Sequence, residues 1–497
     1  MSKLLSTGSE WSFELLQSYD QAIAEIAVNE FSLDVYPNQI EVIASEQMLD
    51  AYASIGLPIN SPHWSYGKSF AANEEEYRKG RRGLAYELVI NSSPCISYLM
   101  EENSMAMQGL VIAHACYGHN SFFKGNYLFR QWTNADGIID YLVFAKNYIL
   151  KCEERYGEET VEALLDSCHA LMDQGVDRYV RPPPLSAAEE SERQQQREDY
   201  ARRQFNDLWR TLPSSSTEEE VAKTAQQPYP PEPQENLLYF IEKHSPALQP
   251  WQLEVVRIVR KLAQYFYPQG QTKVMNEGWA TFWHYTLLNR LFDKGQVDSA
   301  FMLEVLASHT NVVFQPAFDD PRYSGINPYA LGFAMMKDIK RICEAPDEED
   351  RHWFPDIAGS DWQTTLDFAM RNYKDESFIV QFLSPKLIRE FHLFAIADHH
   401  KEEFIEIDSI HNEQGYRRVR QLLSKQYNRD LLVPDIQVVN YDHRGDRSLT
   451  LRYQQLRERP LSSDTEEVMK HVRRLWGFPV ELQVVDESGK QQATTGR

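Results

Sequence analysis

The chain has 497 residues, and 51 Lys and Arg against 73 Asp and Glu leave a net charge of −22. That length supports two or three structural units, since single cores seldom grow past roughly 250–300 residues, and the acidic balance argues against general nucleic-acid binding. No run of about 18 uncharged apolar residues marks a membrane span, the start MSKLLSTGSEWSFELL lacks the order of a signal peptide, and five cysteines without a CxxC pair suit a reduced, cytoplasmic protein.

Residues 9–60 alternate helical runs with the turn formers YPNQ and LPINSP and read as helical. YELVI, ending at Ile90, is a short strand, Ser97 to about Tyr117 an apolar helix, and 135–176 further helix. From 181 to 236 the chain turns charged, Gln-rich and Pro-rich, the composition of an insert or linker with little to bury. Helices resume over 237–400, so that 1–180 and 237–400 form two parts of one mainly α core. In 401–497 the order is strand FIEIDSI, helix GYRRVRQLLSKQYN, strands DIQVVNYD and SLTLRYQQL, helix TEEVMKHVRRLWG and strand VELQVVDE. This βαββαβ order predicts an α+β ferredoxin-like domain.

The chemistry concentrates in four stretches. In HACYGH, His114 and His119 stand five residues apart, a step of about 140° around a helix, where metal-binding pairs usually step by four. Two devices would realign them: a π-type turn that absorbs the extra residue, or an end to the helix at Gly118. In NEGWATFWHY, Glu277 and His284 lie seven residues apart on nearly one helical face among Trp and Phe. A carboxylate there needs a partner: an ion, or an arginine such as Arg257 or Arg260. Their backbones stand roughly 10 Å apart, so one of the two ligates directly. Glu277 is the choice, with His284 behind it or facing a substrate. His63 and Lys68 in HWSYGKSF suit an anionic substrate, and Arg322, Asn327 and Tyr329 in DDPRYSGINPY are further substrate-binding candidates, against plain loop architecture.

The runs AHACYGHNSFFKGN, KVMNEGWATFWHY and INPYALG, with HWSYGKSF upstream, resemble signature stretches of the SpoVR (stage V sporulation protein R) family, over nearly the whole chain. The resemblance implies a cytoplasmic bacterial protein connected with spore cortex formation in sporulating species and with stress or stationary-phase physiology in others. The core is similar to gluzincin metallopeptidases as well, which implies a zincin-like core in which His114, His119 and Glu277 hold a divalent ion such as zinc. Ala115 stands where such enzymes carry the general base, leaving Glu101, Glu102, Glu87 or His284 for that role. The expected function is a metal-dependent, amidase- or peptidase-like hydrolase acting on a peptide or cell-wall-precursor substrate. The alternative is a noncatalytic regulatory protein that recruits protein partners through its linker and C-terminal domain.

Overall fold

The computed structural model describes residues 4–45, 47–48, 87–178, 229–230, 232–393, 396–397, 406–407, 412–443, 445–455, 465–486, 489 and 491–495. His63, Lys68 and most of the 181–236 insert lie outside them. The chain is mainly helical and forms two compact units, Met1–Ala163 with Lys261–Val433 and Leu164–Arg260 with Pro434–Arg497. Residues 164–180 and 237–260, read from sequence as core, fall in the second unit.

The first unit opens with α1 (Phe13–Ala24), capped by the Ser12 side chain on the Leu15 N–H. Where 9–60 reads as helical, Asn38–Ile43 is a strand, β1. It runs parallel to β3 (Cys95–Met100), which pairs antiparallel with β2 (Glu87–Ile90) on its other side. The helix predicted from Ser97 therefore starts late. CISYLM is a continuous apolar run, and such a run buried on both faces has no period to separate strand from helix. Helix α2 (Met105–Val111) begins after the Ser104 cap and passes directly into a π-helix, Ile112–His119.

Helix α3 (Lys273–Asp293) is the spine of this unit and packs against the π-helix, against α4 (Ser299–Val312) and most closely against α5 (Pro328–Glu344). Its orphan N-terminal groups are satisfied from a distance, the Asp375 carboxylate accepting from the N–H groups of Val274 and Met275 at 2.8 Å each. Two contacts need the absence of a side chain. A Cβ on Gly278 would lie 2.4 Å from the Gly332 carbonyl carbon, and one on Gly118 would lie 2.6 Å from Ala280 Cα. Gly118 thus continues the helix and lets it approach α3, rather than ending it.

The ferredoxin-like reading of 401–497 is corrected. β5 (Glu406–Ile407) pairs with β4 (Ile396–Ala397), and α6 (Glu413–Gln426) buries Tyr416, Val419 and Leu423 in the core of the first unit. Its apolar face finds that core before any sheet. The second unit keeps β6 (Ile436–Tyr441), β7 (Leu449–Gln454), α7 (Thr465–Trp476), β8 (Val480–Val485) and β9 (Gln491–Thr495), in the sheet order β6-β7-β8-β9. α7 is the crossover between the parallel strands β7 and β8. In the same unit Glu242, 5 % exposed, binds Arg260 at 2.8 Å and Arg257 at 3.1 Å. The two arginines weighed as partners of Glu277 serve this carboxylate instead.

Candidate metal centre

Six consecutive positions of the sequence set the site. In the π-helix, hydrogen bonds span one more residue than in an α-helix, so a five-residue step returns to the same side. His114 and His119 consequently face one another with ring centroids 4.6 Å apart, and both are buried. Of the two devices the sequence allowed, the π-turn is the one used.

Two carboxylates meet these rings. Glu87 comes from the first residue of β2, with Oε1 at 3.1 Å from His114 Nε2 and 3.8 Å from His119 Nε2. Glu277 comes from the first turns of α3, with Oε2 at 3.8 Å and 3.5 Å from the same two nitrogens. Ligands about 2.0–2.1 Å from a tetrahedral ion stand roughly 3.3–3.4 Å from one another. The four separations bracket that edge. Glu277 Oε2 is buried and has no hydrogen-bond donor among the described residues. An anionic oxygen left so costs several kcal/mol unless a cation meets it, and the donor set fits a divalent ion. Glu87, His114 and His119 could hold one with all ligand atoms within 4.8 Å of each other.

The electrostatics divide the two carboxyls. Burial pushes Glu87 up to about 7, with Glu277 adding to the rise and His114 opposing it. Burial also acts on Glu277, but His114, His119 and a hydrogen bond from Tyr329 outweigh it and hold its pKa below the ordinary value. For His114, burial opposes the charge and the two carboxylates win, so its pKa is raised. Burial takes His119 down to about 4.

Behind the ligand nitrogens stands a further layer. His119 Nδ1 lies 2.9 Å from Asn276 Oδ1, and His114 Nδ1 lies 2.9 Å from His284 Nδ1. His284 Nε2 in turn lies 2.9 Å from His309 Nδ1. Helix α3 thus supplies Asn276, Glu277 and His284 from one face, as its seven-residue spacing predicted. Asn276 and His309 escape sequence reasoning. Asn276 adjoins Glu277, which was a usable signal, whereas His309 has no pattern partner in its own helix.

Of the other predicted residues, the structure brings Tyr329 to the centre, through Glu277. Glu101 and Glu102 stand in an exposed turn after β3, where the Glu102 carboxylate accepts from the Ser45 N–H at 3.2 Å. Asn327 caps α5, accepting from the Tyr329 N–H and donating to the carbonyls of Val312 and Phe314. Arg322 is exposed and pairs with Asp320 at 2.7 Å. The loop that carries it, residues 315–326, lines a cavity of about 850 Å³ together with His392, Leu422 and Leu423.

Fold and site together define a mainly helical protein with a buried histidine–carboxylate centre able to hold a metal ion. The chain belongs to the SpoVR family: the SpoVR like protein family matches residues 10–431 and the SpoVR-like C-terminal domain matches residues 434–487. It is similar to the "Uncharacterized protein YcgB" of Escherichia coli (strain K12), 62 % identical over 485 residues, which cover 98 % of this chain and 94 % of that protein. No solved structure matches. Among the described residues no helix is long and apolar enough to cross a membrane.

Proposed function

We propose that the chain is a metal-dependent hydrolase of the cytoplasm with a zincin-like core, acting on amide bonds of a peptide or cell-wall-precursor substrate. The observation that carries this reading is the Glu87 carboxyl, which stands beside both histidines where the sequence offers only Ala115 for a base. His114, His119 and Glu277 are the ligands. A divalent ion such as zinc, when bound there, would supply Lewis acidity and lower the pKa of a water toward neutral. Glu87, beside both histidines, is placed to take a proton from water and return it to a leaving amine. Tyr329 holds Glu277 in its ionised, ligating form. Membership of the family supports a place in sporulation, cell-wall or stress physiology.

A second reading has its own support. Glu87 is close enough to act as a fourth ligand, and four protein ligands describe a closed structural site. The chain would then be a noncatalytic regulator with a stapled core, its C-terminal unit recruiting partner proteins. Metal content and hydrolysis separate the two. The hydrolase reading expects about one ion per chain, lost in His114→Ala and His119→Ala, and a Glu87→Gln variant that keeps its ion but no longer cleaves peptide or muropeptide amides. Wild-type protein that takes up neither zinc, manganese nor iron overturns both readings. Loss of the ion in Glu87→Gln favours the staple.

A further inference from the structure

His114, His284 and His309 are joined ring nitrogen to ring nitrogen, 2.9 Å at each step, across the π-helix, α3 and α4. All three are buried, at 4 %, 1 % and 6 % exposure. A neutral imidazole has one N–H and one lone pair, so such a chain can run in only one direction once either end is fixed. If His114 Nε2 gives its lone pair to an ion, its Nδ1 carries the hydrogen and donates. His284 Nδ1 must then accept, which places the hydrogen of His284 on Nε2, aimed at His309 Nδ1. His309 must accept in turn. The other ligand follows the same pattern, His119 Nδ1 meeting the Asn276 Oδ1 acceptor.

We infer that His284 and His309 are positioning residues for the ligand His114, a two-ring acceptor relay that fixes its tautomer and ring orientation. The inference rests on the metal reading above. Metal-bound histidines generally direct their second nitrogen to a carboxylate or carbonyl; here an imidazole stands 2.9 Å from it, with the Ala280 carbonyl also within reach of the ring, and an imidazole accepts reliably only while something holds its own hydrogen on the far side. His309 is that holder. Without it, the buried Nε2–H of His284 has lost its acceptor, the alternative tautomer gains, and its Nδ1–H meets the Nδ1–H of His114. The outermost ring therefore acts on the ligand through two bonds without touching it.

The amide oxygen of asparagine can stand where histidine carries Nδ1, and it only accepts. The test uses full-length protein loaded with cobalt(II), reading its dissociation constant by chelator competition and its visible absorption bands. His284→Leu should bind cobalt roughly 10–100-fold more weakly. His309→Leu should show a smaller loss with a shifted spectrum, and His284→Asn and His309→Asn should restore both the affinity and the wild-type bands. If Leu and Asn weaken binding equally at each position, the rings matter only as packing, and the relay is overturned while the metal site stands. If all four variants bind like wild type, the relay is likewise overturned. A wild-type chain that binds no cobalt overturns the relay and the metal site together.

Discussion

Replacing Gly118 by alanine tests whether the approach of the π-helix to α3 sets the site. A Cβ there would stand 2.6 Å from Ala280 Cα and 2.8 Å from its Cβ, where ordinary contact begins at 3.4 Å. The obstacle is partly backbone, so the two helices must part by about 1 Å or the π-helix must turn. Alanine in a helix interior otherwise gains about 0.5–1 kcal/mol over glycine, while overpacking of this kind costs about 1–3 kcal/mol. The net expectation is a loss of up to about 2.5 kcal/mol in urea unfolding of the ion-free protein. The displacement also acts at the donors. His119 follows Gly118 directly and Glu277 lies three residues before Ala280, so a shift of about 1 Å widens their 3.5 Å separation, already near the tetrahedral edge, to well past it. Ion affinity, measured by competition with a chelator, should fall at least tenfold. A variant that gains the propensity term and binds its ion as before would refute the reasoning.

Ion uptake should depend on pH through the protons held by Glu87 and His114. Burial pushes Glu87 up to about 7 and the two carboxylates raise His114, so apparent affinity should rise with pH and level off once both have lost their protons. Calorimetry in buffers of different ionisation heat counts the protons released, and a count of zero below about pH 6.5 would mean that the ion displaces neither. On the ion-free fold the Glu87 shift has the opposite sign: with a folded pKa raised from 4.5 to about 7, the stability it contributes is complete below about 4.5 and is lost as pH rises through about 7. In the second unit, Glu242→Ala strands the buried Arg260 and should cost about 3–5 kcal/mol in unfolding; a change below about 1 kcal/mol would mean that water replaces the pair.

What could be read from the sequence was what lies within one element. The five-residue step in HACYGH required a realigning device, and Glu277 and His284 shared a face because helix geometry fixes faces over seven residues. Glu87 was harder: it lies on a four-residue strand, 27 positions before His114, and only the pairing of β2 with β3 brings it to the rings. His309 depends on α4 packing beside α3, a long-range event without local trace. Glu101 and Glu102, near the histidines in sequence, stand in an exposed turn, with the capped start of a helix between them and the rings. The strand FIEIDSI misled for a related reason, since alternation identifies a strand and leaves its partner open.

The donors also have a history in time. Glu87, His114 and His119 come from the first segment of their unit, and Glu277, His284, His309 and Tyr329 come from the second, with residues 164–260 of the other unit between them. On the ribosome the early half is finished long before the late half exists. Contacts so distant in sequence form slowly, because the chain must close a large loop before they are rewarded. Until residue 293 has emerged, the π-helix lacks the full length of α3 to lie against, and its apolar flank faces water or a chaperone. The centre is therefore assembled only after the second segment of its unit has emerged, and ion capture belongs to that stage rather than to the early nascent chain.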